Sequence, residues 1–178
     1  MNEEAILEEE AIADERVEEA RTLDTAILNK PIGALTKIRT PICLTPDTSV
    51  RRAIEQMNAG SVGCVLVEQE GKLVGIFTER DVLAKVATTG IDIDHTTVES
   101  IMTASPETLS LEDGIAFALN KMVVGGFRHI PLVDGANRPV GVIAMRNVVE
   151  YMVDLFPGEV LNLPPEPGKS IASEREGA

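Results

Sequence analysis

Tryptophan is absent from this chain, tyrosine occurs once and phenylalanine four times. Base stacking on a row of aromatic rings is therefore excluded, and a planar ligand would have to lie against aliphatic strand edges. Histidine occurs only twice. His95 stands in the polar stretch "DIDHTT", and nowhere do a nucleophile, a base and an orienting group recur together, so catalysis is not expected. His95 could join Asp92 and Asp94 at a metal, but "IDIDH" reads better as a solvated loop. The two cysteines, Cys43 and Cys64, lie in apolar runs without CxxC or metal-ligand spacing, and read as small buried side chains. No apolar run approaches the roughly 20 residues of a membrane span. The first residues are acidic rather than basic and then apolar, so no secretory signal is expected and a cytoplasmic location is.

Positive charge is also scarce. Sixteen Lys and Arg face 29 Asp and Glu, a net charge of −13 in 178 residues. That balance removes nucleic acid from the expected partners, because a phosphate backbone needs a basic footprint. Residues 1–30 hold ten acids against three bases, a net −7 and about half the total. The remainder is nearer balance, and a local cationic pocket is compatible with it.

Three zones follow along the chain. Residues 1–30 contain good helix formers, with Ile6, Ala13, Ala20 and Ile27 seven apart on a thin stripe. This predicts an acidic helix, either docked on a partner or solvated. Residues 157–178 are proline-rich and polar, and predict an extended tail. Between them the sequence repeats. "TPICLTPDTSVRRAIEQM" (40–57) matches "SPETLSLEDGIAFALNKM" (105–122), and "VLVEQEGKLVGIFTERDVL" (65–83) matches "PLVDGANRPVGVIAMRNVV" (131–149). Two blocks in the same order at a nearly fixed offset indicate duplication.

Each copy reads as a short strand (41–44; 106–109), an amphipathic helix (48–59; 113–124), two strands (63–67 and 72–77; 129–133 and 138–143) and a helix opening at Glu79 or Arg146. In the first helix Val50, Ala53, Ile54 and Met57 share one face. A β-α-β-β-α unit of this size buries little alone, so the two copies are expected to pack sheet to sheet as one mixed α/β (α+β) fold.

With "GKLVGIFTERDVL", "FRHIPLVDGANRPVG" and the paired openings before the first helices, residues 32–156 resemble a tandem pair of CBS domains, a Bateman module. The division is then an acidic helix (1–30), a first CBS repeat (31–90), a second (91–156) and the tail (157–178). The resemblance implies a regulatory module, not an enzyme. Such modules bind an adenosyl ligand (AMP, ADP, ATP or S-adenosylmethionine) between repeats, and need no other cofactor. It further implies a homodimer. A structural dimerisation module with a vestigial cleft, or a binder of S-adenosylmethionine or NADH, is the alternative. A further protein partner could use the acidic helix.

"GIFTERD" matches the family's ligand motif at Gly75, Thr78 and Asp81. Gly75 would admit a ligand close to the backbone. Asp81 would grip the ribose hydroxyls beside Thr78, and the helix start would offer N–H groups to phosphate. Thr-x-x-Asp is also a capping box, worth about 1 kcal/mol without any ligand. The second copy, "GVIAMRN", has Ala144 and Asn147 at those places, which weakens a second ribose site. Its preceding strand instead carries Arg128 and His129, aligned with Val62 and Gly63. In nucleotide-binding relatives, such as the gamma subunit of AMP-activated protein kinase, a His-Arg pair there meets the phosphates, assisted by a base in the last helix where Arg146 stands. The resemblance thus implies one composite site. Its ribose half lies in repeat one, and Arg128, His129 and Arg146 converge on it from repeat two. Adenine would lie against Ile42, Val62, Cys64 and the 106–109 strand.

Overall fold

The computed structural model describes residues 29–35 and 38–155. The acidic N-terminal segment and the proline-rich tail, for which a helix and an extended conformation are expected, lie outside the described residues. Among the described residues six strands and four α-helices form the two repeats. The first contains β1 (Cys43–Leu44), α1 (Val50–Gly60), β2 (Cys64–Gln69), β3 (Lys72–Thr78) and a short helix α2 (Glu79–Asp81). The second contains β4 (Thr103–Ala104), α3 (Ile115–Gly125), β5 (His129–Val133), β6 (Pro139–Ala144) and α4 (Met145–Leu155).

Local chemistry explains most boundaries. Ser49 caps α1 by accepting from the Arg52 amide, and α1 ends where Ser61 turns left-handed, φ 48°. The β2–β3 hairpin closes on Glu70 and Gly71, φ 52° and 74°, the two positive angles that a tight hairpin turn of right-handed twist requires. After Asp81 the helix widens, with Ala87 donating to the carbonyl of Val82 five residues back. The strand expected at 106–109 contracts to one parallel bridge, Leu109 to Leu132, in which Leu109 donates to the Pro131 carbonyl and accepts from the Val133 amide.

The edge strands are exchanged. β1 runs parallel to β2, β2 and β3 are antiparallel, and β4 then pairs with β3. Yet β4 lies on the segment leading into the second repeat. Reciprocally, Arg39, on the segment leading into the first repeat, bridges to Val142 of β6. The cores follow the same crossing. Ile32 and Leu35 pack with Leu109, Ile115, Met122, Ile130 and Ile143, inside the second repeat. Val98, with Ile101 and Met102 beside it, completes the core of the first, built on Val50, Ala53, Met57, Val65, Val67 and Phe77. Residues 31–35 and 97–102 therefore belong physically to the repeat on the other side of the boundary that the sequence pattern suggests. Each is a short apolar stretch that finds cover only on the neighbouring helix and sheet.

β2 is covered on both faces. Val65 and Val67 face α1, while Cys64 and Leu66, with Leu73 and Ile76, form a third cluster that Cys43, Val133 and Val142 complete. That double burial is why "CVLV" reads as an unbroken apolar run instead of alternating. Asn137 ties the two hairpins together. Its carbonyl accepts from the Leu73 amide at 2.9 Å, and its side chain donates back to the Leu73 carbonyl at 3.1 Å. Among the described residues no helix is long and apolar enough to cross a membrane.

Candidate functional site

Thr78 ends β3 and caps α2. Its hydroxyl accepts from the Asp81 amide at 3.3 Å and donates to Asp81 Oδ2 at 2.7 Å, while the Thr78 amide donates to the same oxygen at 2.9 Å. The capping box allowed by the sequence is therefore formed. Asp81 is only 7% exposed, and its other oxygen, Oδ1, lies 2.6 Å from Lys85 Nζ. Lys85 also donates to the Ile101 carbonyl at 2.7 Å. A buried carboxylate held by three donors is compensated, and Oδ1 keeps one lone pair directed elsewhere.

Two clefts lie between the repeats. The first, about 400 Å³, is lined by Thr78, Asp81, Arg80, Glu107, Phe127 and others. Arg80 bridges it by donating to the Gly126 carbonyl at 3.0 Å. The second, about 1200 Å³, is lined by Arg39, Ile42, Val62, Cys64, Ala144, Arg146, Asn147 and Glu150 among others. Gly63, Glu79, Arg128 and His129 line both.

The expected site residues are thus divided. Thr78, Asp81, Arg128, His129 and Gly63 meet at the first cleft, as does the 106–109 segment through Pro106 and Glu107. Arg146 does not join them. It stands at the start of α4 in the second cleft, paired with Glu150 at 2.8 Å. The approximate two-fold relation between repeats turns the start of α4 towards the opposite side from α2. For the same reason Ile42, Val62 and Cys64, expected against an adenine beside Asp81, line the second cleft, with Asn147. Asn147 accepts there from the Ala144 amide at 2.8 Å, one bond of the capping box. Gly75 lines neither cleft. It is buried in β3, and the Met102 side chain occupies the space a Cβ would need.

Glu79, Arg80 and Lys85 were not expected at the site. Lys85 was legible as an Asp81-Lys85 pair at i,i+4 spacing. Arg80 occupies a variable place in the motif, which hides it. Tyr151 stands 66 positions after Lys85, and its buried hydroxyl has no hydrogen-bond partner among the described residues.

His129 stands between the clefts. A Cβ at position 63 would lie 2.8 Å from both Cε1 and Nε2 of its ring. Burial first, and then the Arg128 charge, hold the His129 pKa below its ordinary value, with Glu79 opposing, so the imidazole is neutral at pH 7. Burial pushes the Cys64 thiol up to about 12 and Cys43 to about 11, which leaves both protonated and unreactive. In the outlying "DIDH" stretch His95 pairs with Asp92 at 2.8 Å and Asp94 is bound to Arg51.

The sequence model of the CBS domain matches residues 32–88 and 98–154, more than half of the chain. A CBS domain-containing protein of Arabidopsis thaliana is 35% identical over 135 residues, covering 74% of this chain and 23% of its own length. The chain spans about a quarter of the length of such plant relatives. Among solved structures, a CBS domain protein of Pyrobaculum aerophilum complexed with AMP superposes with a TM-score of 0.63 at 23% identity, covering 72% of this chain and 99% of that one. The CBS domain pair of a protein designated MJ0100, in complex with 5′-methylthioadenosine and S-adenosylmethionine, gives 0.62 at 22% identity, covering 69% and 99%. At these identities the two superpositions speak for the fold.

The Gly63–His129 contact makes a direct prediction. Gly63→Ala should cost about 1–3 kcal/mol by overpacking, and His129→Ala should relieve most of that cost. A double-mutant cycle by urea denaturation measures the coupling; additive losses would show that the ring is not against Gly63.

Proposed function

Since the chain belongs to the CBS domain family and carries two such domains in tandem, we propose that it is a regulatory module that binds an adenine nucleotide in the cleft beside Asp81. The observation that carries this reading is the buried Asp81–Thr78 pair facing Arg128 and His129 across a cavity of about 400 Å³. The second lone pair on Asp81 Oδ1 would accept from a ribose hydroxyl, and Lys85, 2.6 Å from that oxygen, would hold the carboxylate in place. Arg128 would meet the phosphate, with His129 as a second donor and Arg80 released from Gly126 as a third. Ile76 and Pro106 supply the aliphatic walls against which the base would lie. The AMP complex of the Pyrobaculum protein supports this ligand class. Regulation requires that the ligand favour one arrangement of the repeats over another, because equal affinity for both shifts nothing.

One specific observation favours a second reading. Glu79 and Glu107 also line the cleft. S-adenosylmethionine would place its sulfonium and ammonium near such acids and its carboxylate near Arg128, and the MJ0100 complex contains that ligand. A thermal-shift series with AMP, ADP, ATP, NADH and S-adenosylmethionine separates the two. At 100 times its dissociation constant a native-state ligand adds about 2.7 kcal/mol, a shift of several degrees for a chain this size. AMP should give that shift in wild type and none in Asp81→Ala. A shift with S-adenosylmethionine alone would select the second reading, and no shift with any ligand would leave Thr78 and Asp81 as a helix cap only.

The pH dependence has a definite sign. In the free chain His129 has a lowered pKa, so the unfolded chain takes up its proton first as pH falls through about 6.5. Its contribution to stability is present above that pH and fades below it. A bound phosphate reverses the preference by favouring imidazolium. AMP should therefore bind a few-fold more tightly at pH 6.5 than at pH 8, with proton uptake visible as buffer-dependent heat in calorimetry. His129→Gln should flatten the profile.

The proposed assembly is a homodimer. α3 exposes Phe117, Val123 and Val124, the first at 64% and the last at 78%, and α4 exposes Met152. Sedimentation equilibrium should report twice the 19.1 kDa chain mass, and Val124→Glu should return the monomer; a monomeric wild type would end this assignment.

A further inference from the structure

α1 and α3 hold equivalent places in the two repeats, yet their outward faces differ. Where α1 turns Arg52, Glu55, Asn58 and Ala59 to solvent, α3 turns Phe117, Asn120, Val123 and Val124. Phe117 is 64% exposed, Val123 73% and Val124 78%. An apolar face of this kind, present on one repeat and not on the other, calls for cover. The chain itself arrives beside it. The Lys30 carbonyl accepts from the amide of Ile115, the first residue of α3, at 2.9 Å, and the Lys30 ammonium lies 5.9 Å from the ring centroid of Tyr151 on α4. Residues 1–28 therefore join the described structure at the N-terminal end of the apolar face. Their last stretch carries Val17, Ala20, Leu23 and Ile27 at helical spacing. The 11 residues of α3 span about 16 Å. A helix turning back from Lys30 would run beside it, with Ile27 near Phe117 and Val17 near Val124. Charge agrees with that direction. Arg80, Lys121 and Arg128 stand around the far end of α3, Arg80 on the Gly126 carbonyl at 3.0 Å and Lys121 on Glu107. Glu15, Glu18 and Glu19 would arrive at that end, whereas Glu112 and Asp113 precede α3 where Lys30 enters.

We infer that residues 1–28 are the occupant of this face, folded back on α3 of their own chain as an acidic cap, and that the cap competes with a second copy for it. The docking rests on the entry point, the apolar face and the charge pattern. The competition rests in addition on the homodimer reading given above. A tethered segment meets its face at an effective concentration in the millimolar range, so a weak contact is enough to hold it there. In a symmetric dimer both chains must release their caps. A docking constant of about 10 leaves roughly a tenth of the chains uncapped, and that fraction enters twice, which weakens the dimer about a hundredfold.

Hydrogen exchange read by mass spectrometry on the full chain, at concentrations below and above dimerisation, tests the cap. In the dilute monomer the amides of residues 17–28 should exchange roughly tenfold more slowly than in Val124→Glu, while the α1 amides exchange alike in both. The same amides of wild type should speed up as the dimer forms. The double variant Leu23→Asp/Ile27→Asp should lose the protection and, by sedimentation equilibrium, dimerise about a hundredfold more tightly than wild type. Exchange of residues 17–28 as fast in wild type as in Val124→Glu at every concentration overturns the docking. Protection that grows with concentration places the segment on a second copy and overturns the intramolecular cap. Protection that dimer formation leaves unchanged, or a dimer no tighter in Leu23→Asp/Ile27→Asp, overturns the competition. If wild type stays monomeric throughout and residues 17–28 are protected as stated, the docking stands, and the homodimer reading falls together with the competition.

Discussion

Everything in this molecule depends on burying the second face of the β2–β3 hairpin. One face packs on α1 through Val65, Val67 and Phe77. The other presents Cys64, Leu66, Leu73 and Ile76, and from the same repeat the cluster takes only Cys43 of the neighbouring strand β1 among the described residues. The hairpin of the other repeat packs on it through Val133 and Val142 and removes that surface from water. Burial of this kind is worth about 25 cal/mol per Å² of apolar surface. The pairing of repeats is thus a condition of folding. The clefts follow from it, since two twisted sheets packed face to face diverge at their ends.

An approximate two-fold arrangement brings equivalent residues of the two repeats face to face near its axis, and there the symmetry cannot be complete. Gly63 and His129 are equivalent in the repeats, and the ring of one occupies the space that a side chain on the other would need. Only one of the two positions can carry an imidazole. The clefts differ in chemistry as well, with a compensated carboxylate, Asp81, in one and Ala144 and Asn147 at the matching places in the other.

The duplication, the element order and the helix caps were legible in the sequence because each is written in local spacing. Thr78 and Asp81 are three residues apart, and the hairpin turn at Glu70–Gly71 is marked by its glycine. The side of the molecule on which a residue emerges was not legible. Aligning one repeat on the other places Arg146 beside the motif of Asp81 as text, whereas the rotation relating the repeats sends it to the opposite cleft. Gly75 reads as an opening for ligand and proves to be the seat of Met102. The crossing of residues 31–35 and 97–102 leaves no periodic signal at all, because such short apolar stretches reveal their cover only in three dimensions.

The exchanged edges bear on how such a molecule can originate. Because the segment preceding each repeat completes the sheet of the other, two copies of a single unit could assemble from separate chains by the same pairing. Joining them end to end would leave every contact in place and change only the concentration at which the halves meet. A short covalent link sets that effective concentration in the millimolar range, so a weak encounter becomes a permanent one. Freed from having to serve both halves identically, each position near the axis can then change alone, and a fused pair can hold two different pockets where a symmetric assembly must hold two alike.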